Sequence, residues 1–185
     1  MIEIDRLGSV EDMGYRLTVV AESTNGNIVE IGGGEGINTI KFLQIAGKRE
    51  QTVVVVDPFE QIPGADETYF TPYTIENFLA NIRSQPGNLD KDLLILQMPS
   101  QHDDVKEDLP FFKPIGFMFI DGLQDTESVL SDLRLAESLE AEVICVDDYN
   151  RLTRTSQVPL AVTKFLETTN YKFIDIGKRE AYFVK

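Results

Sequence analysis

The chain has 185 residues, which is enough for a single domain with a sizeable hydrophobic core. Its 17 basic and 31 acidic residues give a net charge of −14, and such a negative field disfavours nucleic acid as a partner. A single cysteine excludes a disulfide framework and favours a reducing, cytoplasmic setting. We expect no signal peptide and no membrane span, because no apolar stretch approaches the ~20 residues that a span needs.

The first predicted elements are a helix and a short buried strand. Apolar residues from Met13 to Ala21 recur at helical spacing, and Asn25-Gly26 is a typical helix stop. Strand 28–31 then runs into glycines at positions 32, 33, 34 and 36, and a second helix begins near Ile37. Glycine lets the backbone approach a ligand closely, and a helix N-terminus offers unpaired N–H groups. This order of elements is typical of a nucleotide-type pocket.

The spacing of the glycines narrows the choice of nucleotide. The dinucleotide fingerprint fails because its sixth place, counted from Gly32, is Ile37, and the Gly-Lys-Ser/Thr of a phosphate-binding loop is absent. The pattern present is acid-x-Gly-x-Gly-x-Gly, formed by Glu30, Gly32, Gly34 and Gly36. It resembles motif I of the class I S-adenosylmethionine (SAM) methyltransferases, which implies that the loop passes under the methionine half of SAM and that the acid contacts its amino group. A purely structural turn is the alternative.

The second predicted strand, 52–56, contains four consecutive valines. A continuous β-branched run indicates burial on both faces, and therefore a parallel sheet with helices on each side. Asp57 ends this strand, at the place where nucleoside-binding α/β folds carry an acid that accepts hydrogen bonds from both ribose hydroxyls. We therefore predict Asp57 as a cofactor ligand, the alternative being a solvated strand end.

Two loops on this half of the chain are candidates for contacts with ligands. Residues 62–73 are rich in proline, glycine and aromatic residues, and they are longer than a routine connection. Their aromatic rings could stack on an acceptor or simply anchor the loop. After a third strand, 93–98, Ser100 and Gln101 follow where this type of fold contacts adenine, so Ser100 is a predicted cofactor contact. Histidine can act as a base near neutral pH, so His102 in the same loop is a candidate base. Because this loop lies on the adenine side, we interpret His102 instead as a surface or ligand-edge histidine.

The rest of the chain continues the alternation of strands and helices. The predicted elements are strand 116–120, helix 126–139, strand 142–146, helix 158–166 and the strands 172–176 and 181–184, which form an antiparallel pair. This alternation predicts a single α/β domain over residues 1–185 with a doubly wound parallel sheet. The terminal pair matches the usual finish of the Rossmann-like methyltransferase fold, whose strand order is 3-2-1-4-5-7-6 with the last strand antiparallel.

A second group of motifs narrows the resemblance. Phe119-Ile120-Asp121-Gly122, Val146-Asp147-Asp148-Tyr149 and the stretch 53–60 are together similar to methyltransferase family 24 and to the related macrocin-type sugar O-methyltransferases. The resemblance covers roughly residues 27–184. It implies a SAM-dependent enzyme that methylates a small molecule, most often at a hydroxyl oxygen, with Asp121 also lining SAM.

The resemblance also implies a metal. Macrocin-type enzymes hold Mg²⁺ with aspartates that match Asp121, Asp147 and Asp148, and clustered oxygen ligands suit a hard cation. Such an ion would bind the acceptor hydroxyl and lower its pKa. The alternative is that Asp121 lines SAM while the other two aspartates cap the strand and its loop.

One departure from the family pattern concerns catalysis. Relatives often follow the Asp-Gly pair with an acid or histidine, but here Leu123 and Gln124 follow it, and neither can act as a general base. Asp125 or Asp148 could substitute, and Asp121 and Asp148 are the predicted catalytic residues. The alternative function is a module that binds SAM without efficient transfer.

Overall fold

The computed structural model describes residues 13–60, 74–87, 89–150, 157–176 and 179–185. The loop predicted over residues 62–73, a candidate for contacts with the acceptor, lies outside them. None of the helices in these ranges is long and apolar enough to cross a membrane.

Helices and strands alternate along the chain. The α-helices are α1 (Met13–Ser23), α2 (Ile37–Ala46), α3 (Ile75–Arg83), α4 (Asp103–Asp108), α5 (Thr126–Ser138) and α6 (Val158–Leu166). The strands are β1 (Asn27–Ile31), β2 (Val53–Val56), β3 (Leu93–Leu96), β4 (Ile115–Ile120), β5 (Val143–Val146), β6 (Lys172–Ile176) and β7 (Ala181–Val184). Short 3₁₀ turns at Leu89–Asp92 and Leu109–Phe112 precede β3 and β4.

All seven strands form one sheet in the order β3-β2-β1-β4-β5-β7-β6. Strands β1 to β5 are parallel, and β7 pairs antiparallel with both β5 and β6. The predicted fold class and strand order are therefore confirmed. Because parallel strands end at the same edge, the residues that follow β1, β2, β4 and β5 are brought together there.

The sheet has a hydrophobic layer on each face. Val54 and Val56 pack into the layer that contains residues of α4, α5 and α6, whereas Val53 and Val55 pack into the layer of α1, α2 and α3. All four valines are almost completely buried, as the run predicts, and each contributes about 1.5–3 kcal/mol by leaving water. The two layers hold the carboxyl ends of the strands in fixed register.

Most predicted elements start and end within two residues of their observed bounds, but α4 was not predicted. Its six residues, Asp103–Asp108, include four acids and one buried apolar residue, Val105. A single apolar position gives no helical periodicity for a sequence pattern to detect. Val105 anchors α4 in the hydrophobic layer of α5 and α6, and His102 at the end of the loop after β3 caps the helix.

Candidate active site

The first residue after each central strand is held by the neighbouring strand. The backbone N–H groups of Gly32, Asp57, Asp121 and Asp147 donate to carbonyls of β2, β3, β1 and β4, at 3.0, 3.2, 2.8 and 2.9 Å respectively. The sheet's hydrogen bonding thus continues one residue beyond the strands. Three carboxylates and the start of the glycine loop are consequently fixed at one edge before any side-chain contact is considered.

The glycine loop has a backbone that only glycine adopts readily. Gly32, Gly34 and Gly36 have φ angles of 91°, 50° and 82°. A Cβ atom at Gly32 would lie 2.2 Å from the carbonyl oxygen of Asp121, so the loop touches the end of β4 backbone to backbone. Gly36 begins α2 without a side-chain cap. The loop therefore presents bare backbone and an uncapped helix N-terminus, as a cofactor cradle requires.

Asp57 ties the end of β2 to this loop. Its Oδ2 accepts a hydrogen bond from the Gly34 N–H at 3.1 Å, and its Oδ1 accepts one from the Phe59 N–H at 2.6 Å. The side chain is only half-buried, so lone pairs on both oxygens stay available to a diol. The geometry fits the predicted ribose contact, which stays a prediction.

Glu30 lies beneath the loop, in the core. Its side chain is 1% exposed, and one oxygen accepts a hydrogen bond from the Thr39 hydroxyl at 2.5 Å. Burial raises the pKa of Glu30 to about 8, against the opposing effect of Thr39 and with a further increase from Asp57. At neutral pH the group is therefore mostly protonated. Its predicted contact with the SAM amino group stays a prediction.

The raised pKa of Glu30 makes stability depend on pH. The folded pKa of about 8 lies above the unfolded value of 4.5, so Glu30 stabilises fully below the unfolded value and loses this contribution as pH rises through the folded one. Between about pH 5 and 8 we expect Glu30 to cost up to about 1.4 kcal/mol per pH unit. In Glu30→Gln, which keeps the acceptor for Thr39, the urea midpoint should fall less over this interval than in wild type. Equal pH dependence in both proteins would contradict the shift.

Ser100 faces α5 rather than an open ligand surface. Its hydroxyl donates to Asp132 Oδ1 at 2.6 Å, and the Gln101 amide donates to the same oxygen at 3.3 Å. Asp132 is 1% exposed, and burial raises its pKa to about 7. The predicted adenine contact of Ser100 stays a prediction. His102 caps α4 through Nδ1 and is half-exposed, as expected of a surface histidine.

Arg179 forms hydrogen bonds with two adjacent aspartates that follow β5, Asp147 and Asp148. Arg179 Nε donates to Asp148 Oδ1 at 2.9 Å, Nη2 donates to the same oxygen, and Nη2 donates to Asp147 Oδ2 at 3.0 Å. The amide of Gln124 donates to Asp148 Oδ2. Both oxygens of Asp148 therefore have donors, and its side chain is only 2% exposed.

Asp121 and Asp147 line a small cavity at the ends of β4 and β5. Its walls also include Ile120, Leu123, Gln124, Val129, Val146 and Val158. Asp147 Oδ1 is buried, and the carboxyl groups of Asp121 and Asp147 share a hydrogen bond. Burial, together with Asp147 and Asp148, raises the pKa of Asp121 well above its ordinary value. The paired carboxyl groups of Asp121 and Asp147 therefore form the polar part of a cavity whose other walls are mostly apolar.

Comparison with protein families identifies the chain. The model of methyltransferase family 24, described as a methyltransferase domain, matches residues 29–149, which include the glycine loop, Asp57 and the aspartates after β4 and β5. The chain belongs to this methyltransferase domain family. The resemblance found in the sequence is thereby confirmed.

Solved structures show the same fold as this methyltransferase domain. The O-methyltransferase NovP is 22% identical, with a TM-score of 0.65 over 100% of this chain and 81% of that chain. An O-methyltransferase from Bacillus cereus, solved with SAH (S-adenosylhomocysteine), is 18% identical, with a TM-score of 0.63 over 98% and 90% of the two chains. TomG from Streptomyces achromogenes, solved with SAM, is 14% identical, with a TM-score of 0.59 over 99% and 86%. None of the curated proteins compared with the chain matches it significantly.

The carboxylates of this methyltransferase domain do not fit the magnesium site that the macrocin-type resemblance implies. Two of the three predicted ligands, Asp147 and Asp148, already accept hydrogen bonds from Arg179, and Asp148 also accepts one from Gln124. Within the described residues, no group of three or more acidic, histidine or cysteine side chains is arranged to hold a metal ion.

Sequence reasoning missed Arg179, although one signal pointed to it. Strand β7 is antiparallel to β5, and Ala181 lies opposite Val146. Residues just before Ala181 must therefore arrive beside Asp147, at the ligand edge of the sheet.

Proposed function

We propose that this methyltransferase domain transfers the methyl group of SAM to a hydroxyl oxygen of a small-molecule acceptor. The observation that carries the proposal is the convergence of the glycine loop, Asp57 and Asp121 at one edge of the sheet, in a chain of a methyltransferase family. The descriptions of NovP, TomG and the Bacillus cereus enzyme as O-methyltransferases support oxygen as the acceptor atom. A single domain and a cytoplasmic location remain part of the proposal.

The chain binds the methyl donor through the shape of the glycine loop and through hydrogen-bond acceptors. SAM, when bound, supplies a methyl group on a positively charged sulfur. The bare backbone at Gly32 and Gly34 gives room for the methionine half, and Asp57 accepts the ribose hydroxyls. Asp121 follows β4 directly, and its backbone carbonyl lies against Gly32. The excess of acidic over basic residues in the chain favours a cationic ligand.

On the acceptor side, the chain supplies a carboxylate oxygen next to an apolar wall. In this proposal Asp147 accepts the hydrogen bond of the acceptor hydroxyl in place of its bond to Asp121, and the cavity of about 10 Å³ beside the two aspartates admits no more than that hydroxyl. Holding that hydroxyl in line with the methyl group lowers the barrier mainly through positioning. The predicted catalytic role of Asp121 is kept. We propose Asp147 instead of Asp148 as the second catalytic residue, because both oxygens of Asp148 accept hydrogen bonds from Arg179 and Gln124.

Replacing Asp57 with alanine should weaken SAM and SAH binding together. The change removes both ribose acceptors and the bond to Gly34, worth about 1–3 kcal/mol, or roughly 5- to 150-fold in affinity. Isothermal titration calorimetry on folded protein measures the effect. Asp103→Ala is a matched control, because this exposed acid pairs with Lys106 on α4, away from the loop. Similar affinities in all three proteins would contradict the role of Asp57.

The second candidate is a module that binds SAM without transferring its methyl group. It is favoured by the contact of Gln124 with Asp148, because an amide donor stands where relatives carry an acid or histidine. The two functions are separated by incubating the protein with SAM radiolabelled in its methyl group and a panel of hydroxylated small molecules. A labelled product that is lost in Asp147→Asn supports transfer, and SAH binding without any labelled product supports the module.

A further inference from the structure

The two aspartates after β5 are held by the positive charge of Arg179, and the catalytic meaning of this contact rests on the proposed function. Arg179 reaches these aspartates because of the sheet topology. Ala181 pairs with Val146, so the chain enters β7 at the carboxyl end of β5. The carbonyl of Arg179 accepts a hydrogen bond from the Asn150 N–H at 3.2 Å, which anchors its backbone to the segment after β5. This backbone contact places Arg179 within hydrogen-bonding reach of Asp147 and Asp148.

The guanidinium of Arg179 donates hydrogen bonds to the aspartate oxygens that a divalent cation would need as ligands. Asp148 Oδ1 receives both Nε and Nη2, and Asp147 Oδ2 receives Nη2. The side chains of Asp147 and Asp148 are 7% and 2% exposed, so little space remains for the water ligands that Mg²⁺ usually keeps. A fixed planar cation satisfies two buried carboxylates at once.

Gln124 provides an independent second observation. Its amide nitrogen donates to Asp148 Oδ2, the oxygen that Arg179 leaves open. If a metal ion were bound to this oxygen, the partially positive N–H group of Gln124 would point at the ion and disfavour its binding. The departure from the family pattern at Leu123-Gln124 and the presence of Arg179 therefore have one explanation, which is that Asp148 is surrounded by donors instead of by a metal.

We propose that Arg179 takes the place of the divalent cation of macrocin-type enzymes, so that this methyltransferase domain works without a bound metal. In this arrangement Arg179 is a positioning residue. It balances the charge of Asp147 and Asp148 through one oxygen of each, and it donates no hydrogen bond to Asp147 Oδ1.

The test measures Mn²⁺ binding to four proteins: wild type, Asp147→Asn, Arg179→Met and Arg179→Lys. Electron paramagnetic resonance detects the Mn²⁺ that remains free in the presence of each protein. We expect wild type to bind Mn²⁺ no more tightly than Asp147→Asn. Arg179→Met should gain about tenfold or more in affinity, because the carboxylates lose their internal cation, and Arg179→Lys should not. The gain should disappear in Arg179→Met/Asp147→Asn.

Two results would overturn the proposal. One is a single Mn²⁺ site in wild type that Asp147→Asn removes, and this comparison holds even if Arg179→Met does not fold. The other is a folded Arg179→Met protein with no gain in affinity. SAH calorimetry on the same samples distinguishes the failure of the proposed function from the failure of the proposal about Arg179. Absence of SAH binding would refute the proposed function. The Mn²⁺ comparison needs no SAM and tests only whether these carboxylates bind a metal ion.

Discussion

Replacing Gly32 with alanine is expected to abolish SAH binding and to lower the free energy of unfolding by about 4 kcal/mol, from ~1–3 kcal/mol of backbone strain and ~1–3 kcal/mol of overpacking. The φ angle of 91° is strained for alanine, and the new Cβ would lie 2.2 Å from the Asp121 carbonyl oxygen. Because that oxygen belongs to the backbone beside β4, it can move only if the end of the strand moves with it. Urea unfolding and calorimetry with SAH measure both effects.

Gly87 offers a matched control for this change. Its φ angle of 95° is similar, but nothing lies within 4 Å of the Cβ that alanine would add. Gly87→Ala should therefore cost only the backbone strain, about 1–2 kcal/mol, and leave SAH affinity unchanged. If the two variants lose equal stability and both bind SAH, the close approach of the loop to β4 has no functional meaning.

Replacing Arg179 with methionine is expected to lower the free energy of unfolding by about 2–4 kcal/mol. Removing one partner of a buried ion pair typically costs about 3–5 kcal/mol, and we reduce this range because the arginine is 37% exposed. The cost arises because Asp148 loses the hydrogen bonds from Nε and Nη2 of Arg179 while its side chain stays buried. Adding Asp148→Asn to Arg179→Met should recover part of the loss, because a buried amide needs a cationic partner less than a buried carboxyl group does.

Arg83→Met serves as the control for Arg179→Met. Arg83 pairs with Asp90 at 3.1 Å, but its side chain is 62% exposed, so its loss should change stability by less than about 1 kcal/mol. Chemical denaturation of the four proteins at one pH provides the comparison. Equal stability of Arg179→Met and Arg83→Met would mean that Asp147 and Asp148 do not depend on the guanidinium.

The fold was predictable because its signals are local. The valine run of β2 indicates burial on both faces, and the alternation of strands and helices predicts the parallel sheet that is observed. Positive φ angles at Gly32 and Gly36 follow from glycine itself, the residue that adopts them at least cost. Helix α4 escaped prediction because it is short and has only one buried apolar residue, Val105.

The sequence predicted where the residues of the candidate site lie along the sheet, but it did not predict their hydrogen-bond partners. Asp57 and Asp121 follow strands of the sheet, so topology alone places them at the ligand edge. The partners of Ser100 and Asp148 are Asp132 and Arg179, separated from them by 32 and 31 residues. No local pattern specifies such contacts, because they depend on side-chain directions after the helices and the terminal hairpin have packed.

The edge of the sheet formed by the glycine loop and Asp57 is expected to bind SAM, and SAH, which lacks only the transferred methyl group, tests this most directly. Isothermal titration calorimetry of wild type with SAH measures this without knowledge of the acceptor. We predict one binding site per chain with a dissociation constant of about 1–100 μM, equivalent to roughly 5–8 kcal/mol, and competition by SAM for the same site. Folded wild-type protein that gives no binding heat with SAH up to about 1 mM would contradict the account.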